Sequence, residues 1–261
     1  MTNKNSSKNS YSVPALEKAT LILEYITHSS KGYNLRDIHS ALGIAKTTTF
    51  SILTTLVNCG YIRKTPEGLY IPTLKLTSLG IRAREFAYDT HFLLPRLESL
   101  RDRTGFTVFF CMYDNGEQVV LEKLDGLGSM VQFKAFIGQR KKLNTSSGGK
   151  AIAAHLSPRE LQIVLDKGLD NPTVNSIYKE DEFLAHLEEI RQRKYAIDDN
   201  EGELGVRCIG APIFMYGGSL FGAVSVTTLN ENLPMTEIPG YAEILLEVTA
   251  QISANLGYKK T

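Results

Sequence analysis

Three helical stripes in quick succession, each ended by a glycine stretch, constrain this chain more than any other feature. Leu16, Ala19, Ile22, Leu23 and Ile26 form the first stripe, Leu35, Ile38, Ala41 and Leu42 the second, and Ile44, Phe50, Leu53, Leu56 and Val57 the third. Gly32, Gly43 and Gly60 close them, and Asn34 with Asp37 three residues on has the chemistry of a helix N-cap. Two short β-type runs, 61–65 and 69–71, then flank a Pro66-Glu67-Gly68 turn. So short a series can bury its apolar faces only as a small three-helix core with a hairpin beside it, which is the plan of a winged helix-turn-helix. The third helix keeps Lys46, Thr47, Thr48, Ser51 and Thr55 largely off its apolar stripe. Small hydroxylated side chains on such a face can enter a major groove and donate hydrogen bonds to phosphates and base edges. The candidate DNA-binding residues are Arg36, Lys46, Thr47, Thr48, Thr49 and Ser51 on the helices, with Arg63 and Lys64 on the hairpin.

Charge is divided in the same way. Residues 1–88 carry 11 Lys and Arg against 5 Asp and Glu, whereas 89–261 carry 18 against 23, so a formal net charge of +1 combines a head of +6 with a body of −5. A basic head suits a polyanionic duplex, and an acidic body belongs to a different task. Four segments follow: a polar, Asn/Ser/Lys-rich tail over 1–12 that reads as disordered and has no apolar core of a signal peptide, the winged helix-turn-helix over 13–72, a linker helix over 73–88, and a second domain over 89–261. The linker carries Leu76, Leu79 and Phe86, more apolar surface than a solvated connector needs, which points to packing against a second subunit or the second domain. No run of about 18 apolar residues is present. Cys59, Cys111 and Cys208 form no C-x-x-C pair, so neither a disulfide framework nor a zinc site is expected, and the expected compartment is the cytoplasm.

The second domain reads as α+β. A helix is expected over 93–103, a hairpin from 107–112 and 118–121 around Asp114-Asn115-Gly116, a strand over 131–137, helices over 147–156, 158–166 and 181–194, a second hairpin from 208–214 and 220–227, and a last helix over 236–256. Two antiparallel hairpins with intervening helices imply a mostly antiparallel sheet flanked by helices.

Several segments carry a resemblance to a known family. Ala15-Leu16-Glu17-Lys18-Ala19, Leu42-Gly43-Ile44-Ala45-Lys46-Thr47-Thr48, Leu56 with Gly60-Tyr61-Ile62, the stretch from Gly138 to Ala151, and Tyr195-Ala196-Ile197-Asp198-Asp199-Asn200-Glu201 with Gly205-Val206-Arg207-Cys208-Ile209 make the chain similar to the IclR family of bacterial transcriptional regulators over about 13–254. The resemblance implies a winged helix-turn-helix followed by a GAF-like effector-binding domain, no catalytic residues and no cofactor. Its partners would be double-stranded operator DNA bound by a homodimer or homotetramer, and a small-molecule effector such as a carboxylate. The implied effector residues are Ser147, Gly148, Asp198, Cys208, Ser225 and Thr227. The chain departs from the family pattern at Ser51, often Arg; at Asn144, usually His; at Lys194, usually Gly; and at Met215, often Asp or Asn.

The residues around 144–149 have two physical readings. A hydroxyl-rich turn opening a helix exposes backbone N–H groups suited to an anion, and the same residues also suit a plain loop in which Ser146 is an N-cap. Ser225 and Thr227, two apart on a strand, share a face. Cys208 would be a nucleophile only with a basic neighbour, and none of the five histidines lies in a catalytic motif. Three classes of function fit: a ligand-responsive DNA-binding regulator, an enzyme with a fused DNA-binding head, and an architectural winged helix whose second domain only binds protein.

Overall fold

The computed structural model describes residues 12–128 and 133–259. The expected tail lies outside these apart from Ser12. Two compact units meet between Asp89 and Thr90.

The first unit is built on α1 (Pro14–Thr27), α2 (Leu35–Leu42), α3 (Lys46–Asn58), a hairpin of β1 (Ile62–Lys64) and β2 (Tyr70–Pro72), and α4 (Leu74–Ala87). Pro14 at the start of α1 has no N–H to leave unpaired. The Asn34 side chain caps α2 by accepting from the Asp37 amide at 3.0 Å, and Gly43 ends it in the left-handed conformation at φ 64°. The core gathers Ile22, Ile26, Ile38, Ile44, Leu53, Leu56, Ile62 and Tyr70. Three expected stripe members lie elsewhere: Leu16 is 65% and Phe50 52% exposed, and Ala41 is also on the surface. In α3 the buried stripe runs through Thr49, Leu53 and Leu56, at steps of four and three, so Phe50 is rotated about 100° away.

The second unit has one six-stranded antiparallel sheet in the order β5-β4-β3-β8-β7-β6. Its strands are β3 (Thr107–Asp114), β4 (Glu117–Leu124), β5 (Arg140–Lys142), β6 (Ala196–Asp199), β7 (Val206–Phe214) and β8 (Leu220–Leu229). The helices are α5 (Thr90–Thr104), α6 (Ser147–Ala153), α7 (Pro158–Asp166), α8 (Glu180–Arg193) and α9 (Ile238–Asn255). Phe109 and Cys111 of β3 join a core with Ala151, Ile152, Val164, Phe183 and Leu187 from α6, α7 and α8. Their neighbours Val108 and Phe110, also buried, alternate to the other face, where α5 and α9 pack.

Two strand expectations change. Val131 and Gln132 lie outside the described residues, and 133–137 contains no strand. The edge position belongs instead to Arg140-Lys141-Lys142, whose charge discourages pairing with another chain. β6 was not foreseen because Ala-Ile-Asp-Asp has little intrinsic strand preference; pairing with β7 over Ala196↔Gly210 to Asp199↔Arg207 imposes it.

His186 on α8 gives this core an acid limit. Its side chain is 17% exposed, and burial, with the Lys150 charge second, pushes its pKa from 6.5 down to about 4. The folded protein therefore keeps this imidazole neutral where the unfolded chain protonates it, so its contribution to stability is complete above the unfolded pKa near 6.5 and is lost as pH falls through about 4. Urea titrations at about pH 7.5 and about pH 5 are expected to show the parent protein losing roughly 1–2 kcal/mol more than His186→Gln. Equal losses would place the acid sensitivity elsewhere.

Candidate functional site

The first unit presents one polar surface. α2 and α3 diverge by 119° across the turn at Gly43, which sets α3 forward of α2 as in a helix-turn-helix. Lys46, Thr47 and Ser51 on α3 and Arg36 on α2 are exposed, and Thr48 is half-buried. Arg63 and Lys64 extend from β1, with Lys64 Nζ 5.6 Å from the centre of the Tyr70 ring. Thr49 is a correction: it is fully buried and its hydroxyl donates to the Ile44 and Ala45 carbonyls at 3.4 and 3.1 Å, so it holds the start of α3 and cannot reach a duplex. Ser51 donates to the Thr47 carbonyl at 3.1 Å, which leaves its oxygen as an acceptor for an outside partner.

In the second unit a cavity of about 270 Å³ lies between the sheet and the start of α6. Five of the six expected effector residues, Ser147, Asp198, Cys208, Ser225 and Thr227, line it. Gly148 stands just behind, where a β-carbon would come within 3.6 Å of Ser225 Oγ. The six come from α6, β6, β7 and β8. Ser146 is indeed the N-cap of α6, accepting from the Gly149 amide at 3.0 Å; its oxygen also takes a hydrogen bond from Gln118 Nε2, so the cap is tied to β4. Residue-by-residue reading missed Gln118, Lys141, Phe109 and Phe133, which also line it. Alternation along β4 puts Gln118 and Val120 on one face and could have marked Gln118.

Close backbone approach fixes this geometry. A β-carbon at Gly210 would lie 2.6 Å from the Ser147 carbonyl carbon and 2.7 Å from the Gly148 nitrogen, so β7 can touch the first turn of α6 only through glycine. At Gly202 the same atom would overlap the Thr145 carbonyl, and here the β6–β7 turn meets the residues leading into α6. A buried ion pair joins α6 to the same turn. Lys150 Nζ, fully buried, meets Glu201 Oε1 and Oε2 at 2.5 and 2.6 Å. Asp198 Oδ1 accepts from the Glu201 and Gly202 amides at 2.9 and 3.3 Å and so pins the same turn. Burial pushes both the Asp198 and Glu201 carboxyls above their ordinary range, while the Lys150 ammonium opposes that rise and favours the charged pair.

The remaining chemistry of the site is unreactive. Cys208 is 7% exposed, accepts from Thr227 Oγ1 at 3.3 Å, and has its thiol pushed far up by burial and then by the Asp198 charge, so it is protonated and a poor nucleophile. Burial likewise raises Cys111 to about 12. Within the acidic run of the β6–β7 turn, Asp199 pairs with Arg207 at 2.7 Å and Glu201 with Lys150, while Glu203 borders the cavity. Among the described residues no group of His, Cys, Asp and Glu is arranged to hold a metal ion, and no single helix is long and apolar enough to cross a membrane.

A helix-turn-helix surface in one unit and a polar, ligand-sized cavity in the other together define a transcription regulator with an effector domain. Residues 15–66 match the IclR helix-turn-helix domain, and 90–254 match the C-terminal domain of the bacterial transcriptional regulator IclR. The chain belongs to the IclR family, and it is a regulator and not an enzyme. It is 27% identical to the HTH-type transcriptional regulator XynR of Escherichia coli K12, over 94% of this chain and 98% of that protein. It is 28% identical to the DNA-binding transcriptional repressor YiaJ of the same organism, over 94% and 88%. The crystal structure of Thermotoga maritima IclR superposes with a TM-score of 0.72 at 27% identity, covering 94% of this chain and 99% of that one.

The Lys150–Glu201 pair makes a stability prediction. Removing one partner leaves the other charge buried, so Lys150→Met is expected to cost about 3–5 kcal/mol. The double variant Lys150→Met with Glu201→Leu is expected to recover most of that loss in urea denaturation. Additive losses would show that the two side chains act separately.

Proposed function

We propose that this regulator docks its winged helix on a duplex operator and that a small hydroxylated carboxylate in the second unit's cavity modulates the docking. One observation carries the effector reading: the Ser147 hydroxyl is buried at the cavity wall and has no hydrogen-bond partner among the described residues. A buried hydroxyl left unpaired costs roughly 1–3 kcal/mol, which a polar ligand would recover. The Ser147 and Gly148 amides open α6 and have no acceptor within it, and Lys141 lines the same space, so one end of the cavity suits a carboxylate. Asp198, which also lines the cavity, has an Oδ2 that makes no hydrogen bond among the described residues and would repel a second carboxylate, so it suits a ligand hydroxyl. Phe109, Val120 and Phe133 support the hydrocarbon between them.

On the DNA side, Lys46, Arg63 and Lys64 engage phosphates along with Arg36, while Thr47, Thr48 and Ser51 face base edges. A two-fold assembly doubles the contact of so short a helix, and α4 offers a surface for it: no residue of α4 is buried, and Leu74, Leu79, Ile81 and Phe86 are 83, 46, 48 and 93% exposed. We therefore assign a homodimer or homotetramer, acting in the cytoplasm, with no cofactor.

Two measurements test the reading. Lys46→Ala and Arg63→Ala are each expected to weaken binding to all duplex sequences and to lower the salt dependence of log K by about one unit. An unchanged slope in both would remove these residues from the interface. Cys208→Phe is expected to fill the cavity while the variant still binds operator. A coupling of roughly 1–3 kcal/mol, or about 5–150-fold in operator affinity, should then vanish in titrations with small hydroxy acids. Full retention of an effector response would place the ligand elsewhere.

A further inference from the structure

A second cavity opens where the sheet runs out of partners. β6 pairs only with Arg207, Cys208, Ile209 and Gly210 of β7, so residues 211–214 continue past it with no strand on that side. There a cavity of about 730 Å³ is lined by Pro212 and Phe214 of β7, Leu246 and Ala250 of α9, and Arg191 and Lys194 at the end of α8. This is within the size range of small-molecule sites and larger than the first cavity. Its aliphatic hydroxyls are already engaged: Ser253 Oγ donates to the Thr249 carbonyl at 2.7 Å and accepts from the Phe214 amide at 3.1 Å, and Thr249 Oγ1 donates to the Leu246 carbonyl at 3.2 Å. No acidic side chain lines it.

The cations at its rim differ from one another. Arg191 is held by the Ala154 carbonyl at 2.7 Å and by Glu188 at 2.6 Å. Lys194 is exposed, and its side chain has no hydrogen-bond or ion-pair partner among the described residues. It also occupies the left-handed C-cap of α8 at φ 73°, where glycine is at ease and a side chain is strained. The remaining titratable groups at the cavity are His155, whose pKa burial and then the Arg191 charge lower, and the Tyr258 phenol. The cavity thus joins an apolar floor to a net positive rim whose one uncommitted charge sits on a strained backbone.

We propose that this cavity is a second small-molecule site, for an anion with an apolar body such as an aryl or alkyl carboxylate or sulfonate, whose hydrocarbon rests on Pro212, Phe214 and Leu246 and whose charge is met by Lys194. It is independent of the cavity bounded by Ser147 and Asp198 and does not rest on that assignment.

The probe is 8-anilinonaphthalene-1-sulfonate, titrated by fluorescence into the full-length protein. Saturable binding is expected. Lys194→Gly, which relieves the backbone and so does not endanger the fold, should weaken it about tenfold, the effect of one charged contact. Ala250→Trp, placed on the exposed side of α9, should abolish it, and Cys208→Phe should leave it unchanged. Circular dichroism melting confirms that each variant is folded. Absence of saturable binding, binding indifferent to both groove substitutions, or binding lost in Cys208→Phe would overturn the proposal. So would a fall in assembly mass by light scattering in Ala250→Trp, which would mean that a second copy of the chain covers the groove.

Discussion

A fully buried ammonium must be matched at close range, and in the second unit the Lys150–Glu201 pair imposes that requirement on two segments 51 residues apart in the chain. Lys150 belongs to α6, and Glu201 to the turn joining β6 to β7. Because an isolated charge in such surroundings is so unfavourable, the pair fixes the distance between helix and turn more stringently than apolar contact would. The cavity is the space left over at that fixed separation. Gly210 and Gly202 permit the approach by giving up their side chains, and Asp198 is held in place because the same turn supplies the amides that hold it.

Polar groups are treated oppositely in the two units. In the first, the functional candidates stand on the outside of a small apolar core, and the one hydroxyl that turned inward, Thr49, is satisfied by the backbone carbonyls before α3. In the second, the polar candidates are themselves buried: Ser147 is 1%, Asp198 4% and Ser225 6% exposed. Polar atoms gathered inside a domain are costly unless each finds a partner, as Asp198 does in the backbone amides of the β6–β7 turn and Glu201 in Lys150. The Ser147 hydroxyl, which has no partner among the described residues, marks where an outside molecule would be recognised.

Most of the architecture is legible in the sequence because it rests on local periodicity. Glycines at the ends of helical stripes, Asn34 before α2 and the turn at Asn115-Gly116 each specify their element within a few residues. The failures share a cause. β6 and β5 are strands only because a neighbour pairs with them, and the choice between Thr49 and Phe50 for the inside of α3 depends on where α1 and α2 lie, which a one-residue rotation of the stripe does not reveal. The site shows the same division. Six residues could be named from their likeness to a family pattern, and strand alternation marks the face of Gln118, whereas Lys141 and the aromatic wall carry no local signature, since they border the cavity only once the sheet is assembled.

By itself the sequence determined the helices and the two strand hairpins of the second unit, the split into a basic head and an acidic body, and the order of elements that makes the head a winged helix, because these follow from side-chain spacing and charge along the chain. Tertiary structure decided which polar residues are buried, which of them remain unpaired, and what space is left beside them. Those properties depend on distances between segments remote in sequence, such as α6 and the β6–β7 turn, and no local pattern encodes a distance between them.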